Sequence, residues 1–469
     1  MKLRYLKKTE DDILVLGDVF LDIFQTTDIL KISPERPVPV LEPTKAINLL
    51  GGAANVANNI KSIGGSAFLI SKLANDKTSE IIKKLLISNK INFKIVTNKE
   101  YSSPIKKRIV QNDHQFCRLD DESFSKLKKK DETLIIKFIK KRINKFQSLI
   151  ISDYSKGFLT PNLIKKVIKI FRDNNKKVFT DPKNRDVEVY KNSNFICPNQ
   201  KEFYDFFDYQ KLPLTSKSTI KLLRKTKVDA FVVTRGSKGI SLISKKGKKI
   251  EIPQVDVNVY DVTGAGDTFI GLLSYLLSNK IDLTNSIKIA SFACGKVVQK
   301  KHTAVLLFAE FQKIIEEFCE NNFIDIHLKI ILWKLVKLKI GVTNGCFDVL
   351  HSGHLQLLNE AKKSCDKLIV LLNSDSSIRK IKGKNRPIIK LDKRINLLKM
   401  IKDVDGVEVF EEETPEKIIA KILPDILFKG SDYKAKELAG YKTIKKNGGT
   451  IKIIKKLKNF SSTQLIPKK

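Results

Sequence analysis

Two histidines stand close together in a chain that has few of them. The sequence holds five histidines in 469 residues, and two lie in HSGH (351–354). This stretch follows a strand-like apolar run and opens a helical one, so His351 and His354 share one helix face. Gly353 leaves room for a phosphate group to approach. One alternative is a pair of ordinary surface histidines. A metal pair is another, but no third ligand stands nearby at metalloenzyme spacing.

A second stretch carries a carboxylate beside three small residues. GAGD (264–267) opens an apolar helical run. Gly264, Ala265 and Gly266 let the backbone approach a ligand closely, and the free N–H groups at a helix start are a natural seat for phosphate. Asp267 is then placed to accept a proton from a substrate hydroxyl while a phosphoryl group is transferred. The alternative is that Asp267 only caps the helix.

The elements around both stretches predict parallel α/β architecture. Short apolar runs alternate with amphipathic helical segments, which is typical of sheets covered on both faces. The predicted strands are 13–18, 148–154, 177–182, 194–199, 230–236, 337–344, 366–375, 406–410 and 425–432. The predicted helices include 160–175, 354–363, 392–402 and 414–423. We therefore predict two α/β units, 1–320 and 339–469, with a connector at 321–338 that carries one helix.

Charge and cysteine usage argue against several classes of protein. The net charge of +37 comes mostly from lysines spread along the whole chain, without an arginine-rich arm, so we expect no specific nucleic-acid partner. The six cysteines include no CxxC pair, which argues against a zinc ribbon or a disulfide framework. No apolar run reaches the roughly 18 residues of a membrane helix. The N-terminus is unlike a signal peptide, and we expect a cytoplasmic protein with no membrane partner.

The first half resembles the ribokinase-type (PfkB) carbohydrate kinases in five motifs that occur in family order. These are LGDVFLD (16–22), GGAANVANNI (51–60), NQKE (199–202), VTRGSKG (233–239) and GAGD. The resemblance implies a sugar kinase with Asp267 as base, ATP and Mg²⁺ as cofactors, and a metal held indirectly by Asn199 and Glu202. It also implies a small β lid at 24–48 and 101–121 that often pairs between subunits, so we expect a homodimer.

The same resemblance assigns individual binding residues. The implied ATP-binding residues are Asn199, Gln200, Lys201, Glu202, Thr234, Gly236, Gly264, Ala265 and Gly266. The implied sugar-binding residues are Asp18, Asp22, Gly51, Gly52, Asn55 and Arg118. One departure is visible at 299–308, where the family usually has a Gly-Thr turn along the adenine pocket and this chain reads QKKHTAVLLF. Thr303 and Val305 are the residues that could serve in its place.

The second half resembles the cytidylyltransferase-like nucleotidyltransferases through TNGCFDVLHSGH (343–354). NSD (373–375), KGSDY (429–433) and SSTQLI (461–466) agree with that family. In it the histidines grip a triphosphate and stabilise charge as the α-phosphorus is attacked, which gives His351 and His354 a catalytic role. The implied nucleotide-binding residues are Asn344, Gly345, Phe347, Asp375, Lys382, Lys429, Asp432, Ser462 and Thr463. Lys382 could equally be a surface lysine, and Ser431 stands where a glycine is usual.

The order of the two halves resembles the bifunctional heptose kinase/adenylyltransferases of Gram-negative bacteria. ISPERPVPV (32–40) and CRLDDE (117–122) look like that family's sugar-pocket and lid segments. The implied fold is α/β, a ribokinase-like three-layer domain with a small β lid followed by a Rossmann-like HxGH nucleotidyltransferase domain. The implied function is phosphorylation of heptose 7-phosphate at O1 and adenylylation of heptose 1-phosphate for lipopolysaccharide core synthesis. The alternatives are a kinase/cytidylyltransferase for another polyol or sugar, and a basic nucleic-acid-binding regulator with decayed sites.

Overall fold

The computed structural model describes residues 12–98, 101–111, 114–254, 257–301, 305–322, 324–431 and 435–455. The chain divides into two compact units between Ile314 and Ile315, and each is described by itself. Within the described ranges, each helix is too short or too polar to cross a bilayer.

The first unit has thirteen strands and nine helices among its described residues. The strands are β1 (Asp12–Gly17), β2 (Val19–Ile32), β3 (Pro39–Gly52), β4 (Ala67–Leu73), β5 (Asn92–Thr97), β6 (Ile105–Gln111), β7 (His114–Asp121), β8 (Phe146–Ser152), β9 (Lys177–Asp181), β10 (Phe195–Ile196), β11 (Ala230–Thr234), β12 (Ile240–Ser244) and β13 (Lys249–Ile252). The helices are α1 (Ala53–Ser62), α2 (Lys77–Ser88), α3 (Lys129–Arg142), α4 (Pro161–Asp173), α5 (Gln200–Tyr209), α6 (Ser216–Thr226), α7 (Ala265–Ser278), α8 (Leu283–Val297) and α9 (Phe308–Asn321), the last of which crosses the division.

The large sheet of this unit is covered on both faces, as the apolar runs predict. Its strand order is β13-β12-β11-β10-β9-β8-β1-β4-β5, parallel from β5 to β11. Leu14 and Leu149 pack in one core cluster with side chains of helices α3 to α6. Val15 and Ile150, which point the other way, are fully buried as well. The order of strands reverses between β1 and β8, and ligands of such sheets bind beside the carboxyl ends of the strands at that point.

A separate four-stranded sheet forms the small β lid. Its order is β3-β2-β6-β7, with β2 and β6 parallel and the outer pairs antiparallel. Both segments predicted to form the lid, 24–48 and 101–121, contribute strands to it. Every residue of β7 is exposed, so neither face of this edge strand is covered by the part of the chain that the structure describes.

The second unit is a five-stranded, fully parallel sheet, which matches the predicted Rossmann-like domain. The strands are β14 (Ile340–Gly345), β15 (Lys367–Asn373), β16 (Gly406–Phe410), β17 (Ile426–Gly430) and β18 (Thr450–Ile454), in the order β16-β15-β14-β17-β18. The helices are α10 (Ile326–Leu335), α11 (Ser352–Lys362), α12 (Asp375–Lys382), α13 (Leu391–Lys399), α14 (Glu416–Ile422) and α15 (Tyr441–Lys446). The order of strands reverses between β14 and β17. The ligand crevice of this unit is therefore expected beside the carboxyl ends of these two strands.

The helix predicted within the connector is α10, and it packs as part of the second unit. Trp333 is buried, and the Lys334 ammonium donates to the carbonyl oxygens of Ile422 and Leu423 at 2.6 and 2.7 Å. The apolar side of α10 thus packs on protein. The domain limits 1–320 and 339–469 stay a prediction.

Candidate functional site

The carboxylate of Asp267 lies in the first turn of α7 and is almost fully buried. Its Oδ2 accepts a hydrogen bond from Asn55 Nδ2 at 2.9 Å, and its Oδ1 accepts one from the Tyr154 hydroxyl at 2.8 Å. Gly264 is the N-cap of α7, in a left-handed conformation with φ 79°. The cap position therefore belongs to Gly264, and both described side-chain partners of Asp267 come from other elements.

Burial raises the pKa of Asp267 to about 7, because an ionised carboxylate loses its hydration there. The hydrogen bonds from Asn55 and Tyr154 oppose this by stabilising the charged form. The charge of Asp22 raises the pKa further, whereas that of Lys106 lowers it. A carboxylate with a pKa near neutrality is well suited to accept a proton as a general base.

A chain of hydrogen bonds fixes how Asn55 faces this carboxylate. Thr268 Oγ1 donates to Asn59 Oδ1 at 3.1 Å, and Asn59 Nδ2 donates to Asn55 Oδ1 at 3.2 Å. With its oxygen engaged, the Asn55 amide presents its nitrogen to Asp267. The resemblance implies Asn55 as a sugar ligand, and the structure places it directly beside the predicted base.

Asp18 anchors the loop that carries Tyr154. Its carboxylate accepts hydrogen bonds from the backbone N–H groups of Tyr154, Lys156 and Phe158 at 3.2, 3.1 and 3.3 Å. Burial raises the pKa of Asp18 in spite of these bonds. Asp18 therefore positions the partner of the base, and its contact with sugar hydroxyls stays a prediction.

The predicted glycine pair leaves space for an aromatic ring. A Cβ at Gly51 or at Gly52 would lie within 3 Å of the Phe20 ring. The Phe20 ring makes an edge contact with Tyr154, with centroids 5.2 Å apart. The two glycines thus let Phe20 and Tyr154 form one wall beside Asp267.

The lid pairs Asp22, one of the predicted sugar-binding residues, with a different arginine from the one that the sequence indicates. Arg118 is exposed on β7, where its guanidinium pairs with Asp120 at 2.8 and 2.9 Å. Its neighbour across the strand pair is Arg108, which is buried and bonds Asp22. Asp22 was predicted to bind the sugar, and in the structure its carboxylate forms an ion pair with Arg108. Sequence reasoning missed Arg108. It lies two residues after Lys106 on β6, and residues two apart on a strand point to the same face of the sheet.

An apolar cavity of about 460 Å³ is lined in part by residues of the GAGD turn. Four of the predicted ATP-binding residues line it, namely Thr234, Gly236, Ala265 and Gly266. Other lining residues, which include Val257, Val259, Val262, Phe269, Cys294 and Val298, are mostly apolar. An apolar pocket with a few polar groups at one end suits a purine base with its phosphates at the glycine turn.

The predicted substitute for the Gly-Thr turn is only partly described. The Val305 carbonyl oxygen accepts a hydrogen bond from the Lys300 ammonium at 3.0 Å, while Thr303 lies outside the described residues. Val298, just before this stretch, lines the cavity. The described apolar wall therefore comes from α7, from α8 with the residue after it, and from the 257–262 loop.

NQKE forms the start of α5 and closes a reciprocal capping box. Asn199 accepts from the Glu202 N–H at 2.9 Å, and Glu202 accepts from the Asn199 N–H at 3.0 Å. Both residues line a smaller cavity of about 200 Å³. Gln200 instead bonds the Tyr204 hydroxyl, and Lys201 is exposed, so the structure does not bring these two predicted ATP ligands to the cavity.

Three carboxylates share this smaller cavity, those of Asp153, Asp181 and Glu202. Burial raises the pKa of Asp181 well above its usual range, and the charge of Glu202 adds to the effect. Lys183 bonds Glu202 at 3.2 Å and lines the same cavity. A surplus of buried carboxylate charge is an environment that a divalent cation would stabilise. Sequence reasoning missed Asp153 and Asp181, although each is the last residue but one of a predicted strand, 148–154 and 177–182.

The crevice of the second unit gathers its own set of predicted residues. Asn344 and Lys429 are the last residues but one of β14 and β17. The Lys429 ammonium donates to the Asn344 carbonyl and side-chain oxygens at 2.8 and 3.0 Å. His351 is the N-cap of α11, and its ring stacks on that of His354 with centroids 3.9 Å apart. The two imidazoles therefore share one face at the start of a helix, as the spacing predicts.

The loop between β14 and α11 is supported by buried residues. Phe347 packs against the His354 ring, with centroids 4.7 Å apart, and a Cβ at Gly345 would lie 3.0 Å from the Phe347 ring. Phe347 is thus a support for the histidines. Sequence reasoning missed Asp348, whose carboxylate accepts hydrogen bonds from Arg386 and two backbone N–H groups. Burial raises the pKa of Asp348, but these hydrogen bonds outweigh it and hold the pKa below the usual range.

A fully buried arginine joins the loops of the crevice. Arg394 donates to the carbonyl oxygens of Cys346 and Asn373 at 2.7 and 2.9 Å, and to Asp375 at 2.6 Å. Asp375 was predicted to bind the nucleotide, and its carboxylate is bonded to Arg394. Sequence reasoning did not identify Arg394. Lys382 ends α12 with an exposed side chain. The remaining predicted residues, Asp432, Ser462 and Thr463, lie outside the described residues.

Two family models match the two units of the chain. The pfkB family carbohydrate kinase model matches residues 10–307, and the Cytidylyltransferase-like model matches residues 342–468. The bifunctional protein HldE of Haemophilus influenzae is 36% identical over 463 residues, which cover 97% of this chain and 96% of that protein. The chain belongs to the HldE family. The HldE protein of Campylobacter jejuni is 34% identical over 470 residues and covers 99% of both chains.

Membership of the HldE family makes the chain a bifunctional enzyme, a kinase and a nucleotidyltransferase that use ATP. Solved structures add the fold of the first unit. Ribokinase from Thermotoga maritima matches with a TM-score of 0.52 at 19% identity, over 65% of this chain and 99% of that one. Phosphofructokinase-2 from Escherichia coli, in its tetrameric inhibited form, matches with a TM-score of 0.54 at 19% identity, over 66% of this chain and 99% of that one. The predicted ribokinase-like fold is confirmed.

Proposed function

We propose that the first unit transfers the γ-phosphoryl group of ATP to O1 of D-glycero-β-D-manno-heptose 7-phosphate, giving the 1,7-bisphosphate. A separate phosphatase then removes the 7-phosphate. The second unit joins AMP from ATP to heptose 1-phosphate, releasing pyrophosphate and giving ADP-heptose for the lipopolysaccharide core. The observation that carries the kinase assignment is the buried Asp267 carboxylate between Asn55 and Tyr154, directly after Ala265 and Gly266, which line the apolar cavity.

In the kinase step, Asp267 accepts the proton of the sugar O1 hydroxyl as O1 forms its bond to the γ-phosphorus. The bond from the γ-phosphorus to the β,γ-bridging oxygen breaks, and ADP leaves. The Asn55 and Tyr154 hydrogen bonds hold the carboxylate in place for this proton transfer. The N–H groups at the start of α7 offset negative charge on the transferring group.

The carboxylate cavity suits a magnesium ion held through water molecules, since the described residues contain no group of three acidic, histidine or cysteine side chains arranged to ligate a metal directly. Asn199 and Glu202, with Asp153 and Asp181, would hold it through retained waters, since Mg²⁺ favours oxygen ligands and dehydrates reluctantly. When bound, the ion offsets charge on the ATP phosphates. The Lys183 ammonium, which pairs with Glu202 at the same cavity, adds a positive charge from the protein itself.

In the nucleotidyl step, a phosphate oxygen of heptose 1-phosphate attacks the α-phosphorus of ATP. The bond from the α-phosphorus to the α,β-bridging oxygen breaks, and pyrophosphate leaves. His351 and His354 stabilise the charge that develops on the triphosphate, and Lys429 is fixed at the same crevice by Asn344. The acceptor phosphate is itself the nucleophile, so no covalent enzyme intermediate is required.

The lid offers a surface for a homodimer. Its exposed apolar side chains include Leu30 and Leu119, which keep 59% and 58% of their surface accessible, and every residue of β7 is exposed. An exposed edge strand with apolar residues is a ready pairing surface. Sedimentation at micromolar concentration should show a dimer, and a monomer there would refute the pairing. We also place the enzyme in the cytoplasm, where ATP is available.

The direct test is incubation with ATP, Mg²⁺ and a panel of sugar phosphates, scored by mass. Heptose 7-phosphate should gain one phosphoryl group, and heptose 1-phosphate should give ADP-heptose together with pyrophosphate. Preference for a different sugar, or for CTP over ATP in the second reaction, would overturn the assignment.

A further inference from the structure

One glutamine stands among the mostly apolar residues of the larger cavity in the first unit. Gln254 lies two residues after β13 and is half-buried, and it lines the cavity together with Ser291 of α8. The buried Ser291 hydroxyl donates a hydrogen bond to Gln254 Oε1 at 3.0 Å. Because its oxygen is engaged, the amide keeps its nitrogen as a donor. Among the residues that the structure describes, no acceptor bonds this Nε2 atom.

Two glycines make room for this glutamine. A Cβ at Gly239 would lie 2.7 Å from the Gln254 backbone nitrogen, and the φ of 76° at Gly239 also favours glycine. A Cβ at Gly295 of α8 would lie 3.3 Å from Gln254 Nε2. Gly239 therefore lets the backbone at residue 254 come close, and Gly295 leaves space beside the amide. The amide is thus held against α8 at the edge of the cavity.

A polar amide with a fixed orientation makes an apolar cavity selective. In such cavities the apolar side chains supply contact area, and a few placed polar groups fix the orientation of the ligand. An N–H group that loses its water when a ligand enters weakens binding unless the ligand supplies an acceptor. The ring nitrogens of adenine are acceptors, whereas its exocyclic amino group is a donor. The Gln254 N–H therefore suits a ring nitrogen of the base.

We propose that Gln254 Nε2 donates a hydrogen bond to a ring nitrogen of adenine when ATP is bound in the first unit, and that Ser291 holds the amide in the orientation that allows this bond. Gln254 is then a specificity residue for the phosphoryl donor, and Ser291 is a positioning residue. Neither belongs to a motif of the first unit that the sequence analysis identified. The inference rests on the proposed function, in which the first unit uses ATP, and adds which side chain recognises the base.

Two rival arrangements predict different results. In the first, Gln254 only joins its loop to α8 and contacts no part of the nucleotide. In the second, the amide is turned over, so that Nε2 donates to Ser291 and Oε1 accepts from the adenine amino group. The arrangements separate when ATP is compared with analogues that each lack one group of the base. The 1-deaza, 3-deaza and 7-deaza forms of ATP each lack a ring nitrogen, and purine riboside triphosphate lacks the amino group.

The experiment measures kcat/KM of the kinase for each donor, with heptose 7-phosphate saturating. The wild type should prefer ATP over one deaza analogue by about 3- to 10-fold, the usual worth of a neutral hydrogen bond. Gln254→Leu should lower the value for ATP by a similar factor and lose that preference, and Ser291→Ala should weaken the same preference. Gln210→Leu is the matched control, because it removes another half-buried amide, one that bonds Asp186 at 3.1 Å and does not line the cavity. It should keep the wild-type ratios for all donors.

Three results would overturn the contact. The wild type could show no preference for ATP over any deaza analogue, or Gln254→Leu could keep the wild-type ratios for all three. The variant could instead lose only the preference over purine riboside triphosphate, which would show the reversed amide. Ser291→Ala is a milder second variant if Gln254→Leu folds poorly, and unchanged ratios there would refute the positioning role.

Adenylyl transfer by the second unit is a control within the same molecules. It uses ATP at a different site, so its kcat/KM for ATP should be unchanged in every variant, and a parallel loss would contradict a local effect at the cavity. A wild-type protein that transfers no phosphoryl group from ATP to heptose 7-phosphate would instead refute the proposed function. The failure of the contact and the failure of the proposed function are therefore distinct.

Discussion

The Tyr154 hydroxyl should set the pH at which the kinase becomes active. It donates to Asp267 Oδ1 at 2.8 Å and so stabilises the ionised carboxylate, whose pKa lies at about 7. A hydrogen bond to a charged group contributes about 1.5 to 3 kcal/mol, and one pKa unit corresponds to 1.36 kcal/mol. Tyr154→Phe removes this donor without removing the ring, so the pKa of Asp267 should rise by about 1 to 2 units.

The sign of the effect on activity follows from the role of the group. A general base works only when it is deprotonated, so kcat/KM of the wild type should rise through pH 7 and reach a plateau above it. In the variant the same rise should occur at about pH 8 to 9. At pH 7 the variant should then be about 5- to 50-fold slower, and it should recover most of this loss as the pH increases.

The assay is the kinase rate from pH 5.5 to 9.5 with saturating ATP, for the wild type and Tyr154→Phe. Burial raises the pKa of Tyr154 well above its usual range, so the tyrosine itself stays neutral over this span. A plateau that falls while the midpoint stays at the wild-type pH would show that Tyr154 only supports the wall formed with Phe20. That result would refute the hydrogen-bond argument.

Two further predictions concern the second unit and the division of the chain. Arg394→Lys keeps the positive charge but loses the planar guanidinium that joins the Cys346 and Asn373 carbonyl groups to Asp375. Adenylyl transfer should therefore fall about 10-fold or more, while the kinase rate should stay unchanged. Pyrophosphate release at the wild-type rate would contradict this prediction. Limited proteolysis with a protease of broad specificity should cut first within 318–340 and leave two stable fragments, and preferred early cleavage inside either large sheet would count against the proposed domain limits.

The main sheets were predictable because their strands are continuous apolar runs. A strand buried on both faces consists mostly of apolar residues, and this pattern is visible in LII at 149–151 and in LIVLL at 368–372. The sequence analysis did not identify β18 or α12. β18 is a partly exposed edge strand that carries Lys452, and α12 has only two buried residues among eight. Neither has the unbroken apolar signal of a central element.

The candidate sites were predictable where chemistry is local in the sequence. GAGD and HSGH each place their groups within one helical turn, so spacing alone indicates a shared face. Tyr154 was missed because its partner Asp267 is 113 residues away, and a contact of that separation depends on the order of strands. Arg394 was missed for the same reason, since it joins loops that follow different strands. Arg118, which was expected at the sugar site, is exposed on the edge strand and pairs with Asp120, whereas its cross-strand neighbour Arg108 is buried against Asp22.

The central claim is that two independent sites carry two reactions, and one pair of variants tests it most directly. Asp267→Asn keeps the shape of the side chain but removes the base, so phosphoryl transfer to O1 should fall by about 10² to 10⁴ while adenylyl transfer is unchanged. His354→Ala should lower adenylyl transfer by about 10² or more and leave the kinase rate intact. With a 7-phosphatase added, a mixture of the two variants should restore ADP-heptose formation, because the intermediates diffuse between chains. Loss of both activities in either folded variant, or full adenylyl transfer in His354→Ala, would contradict the account.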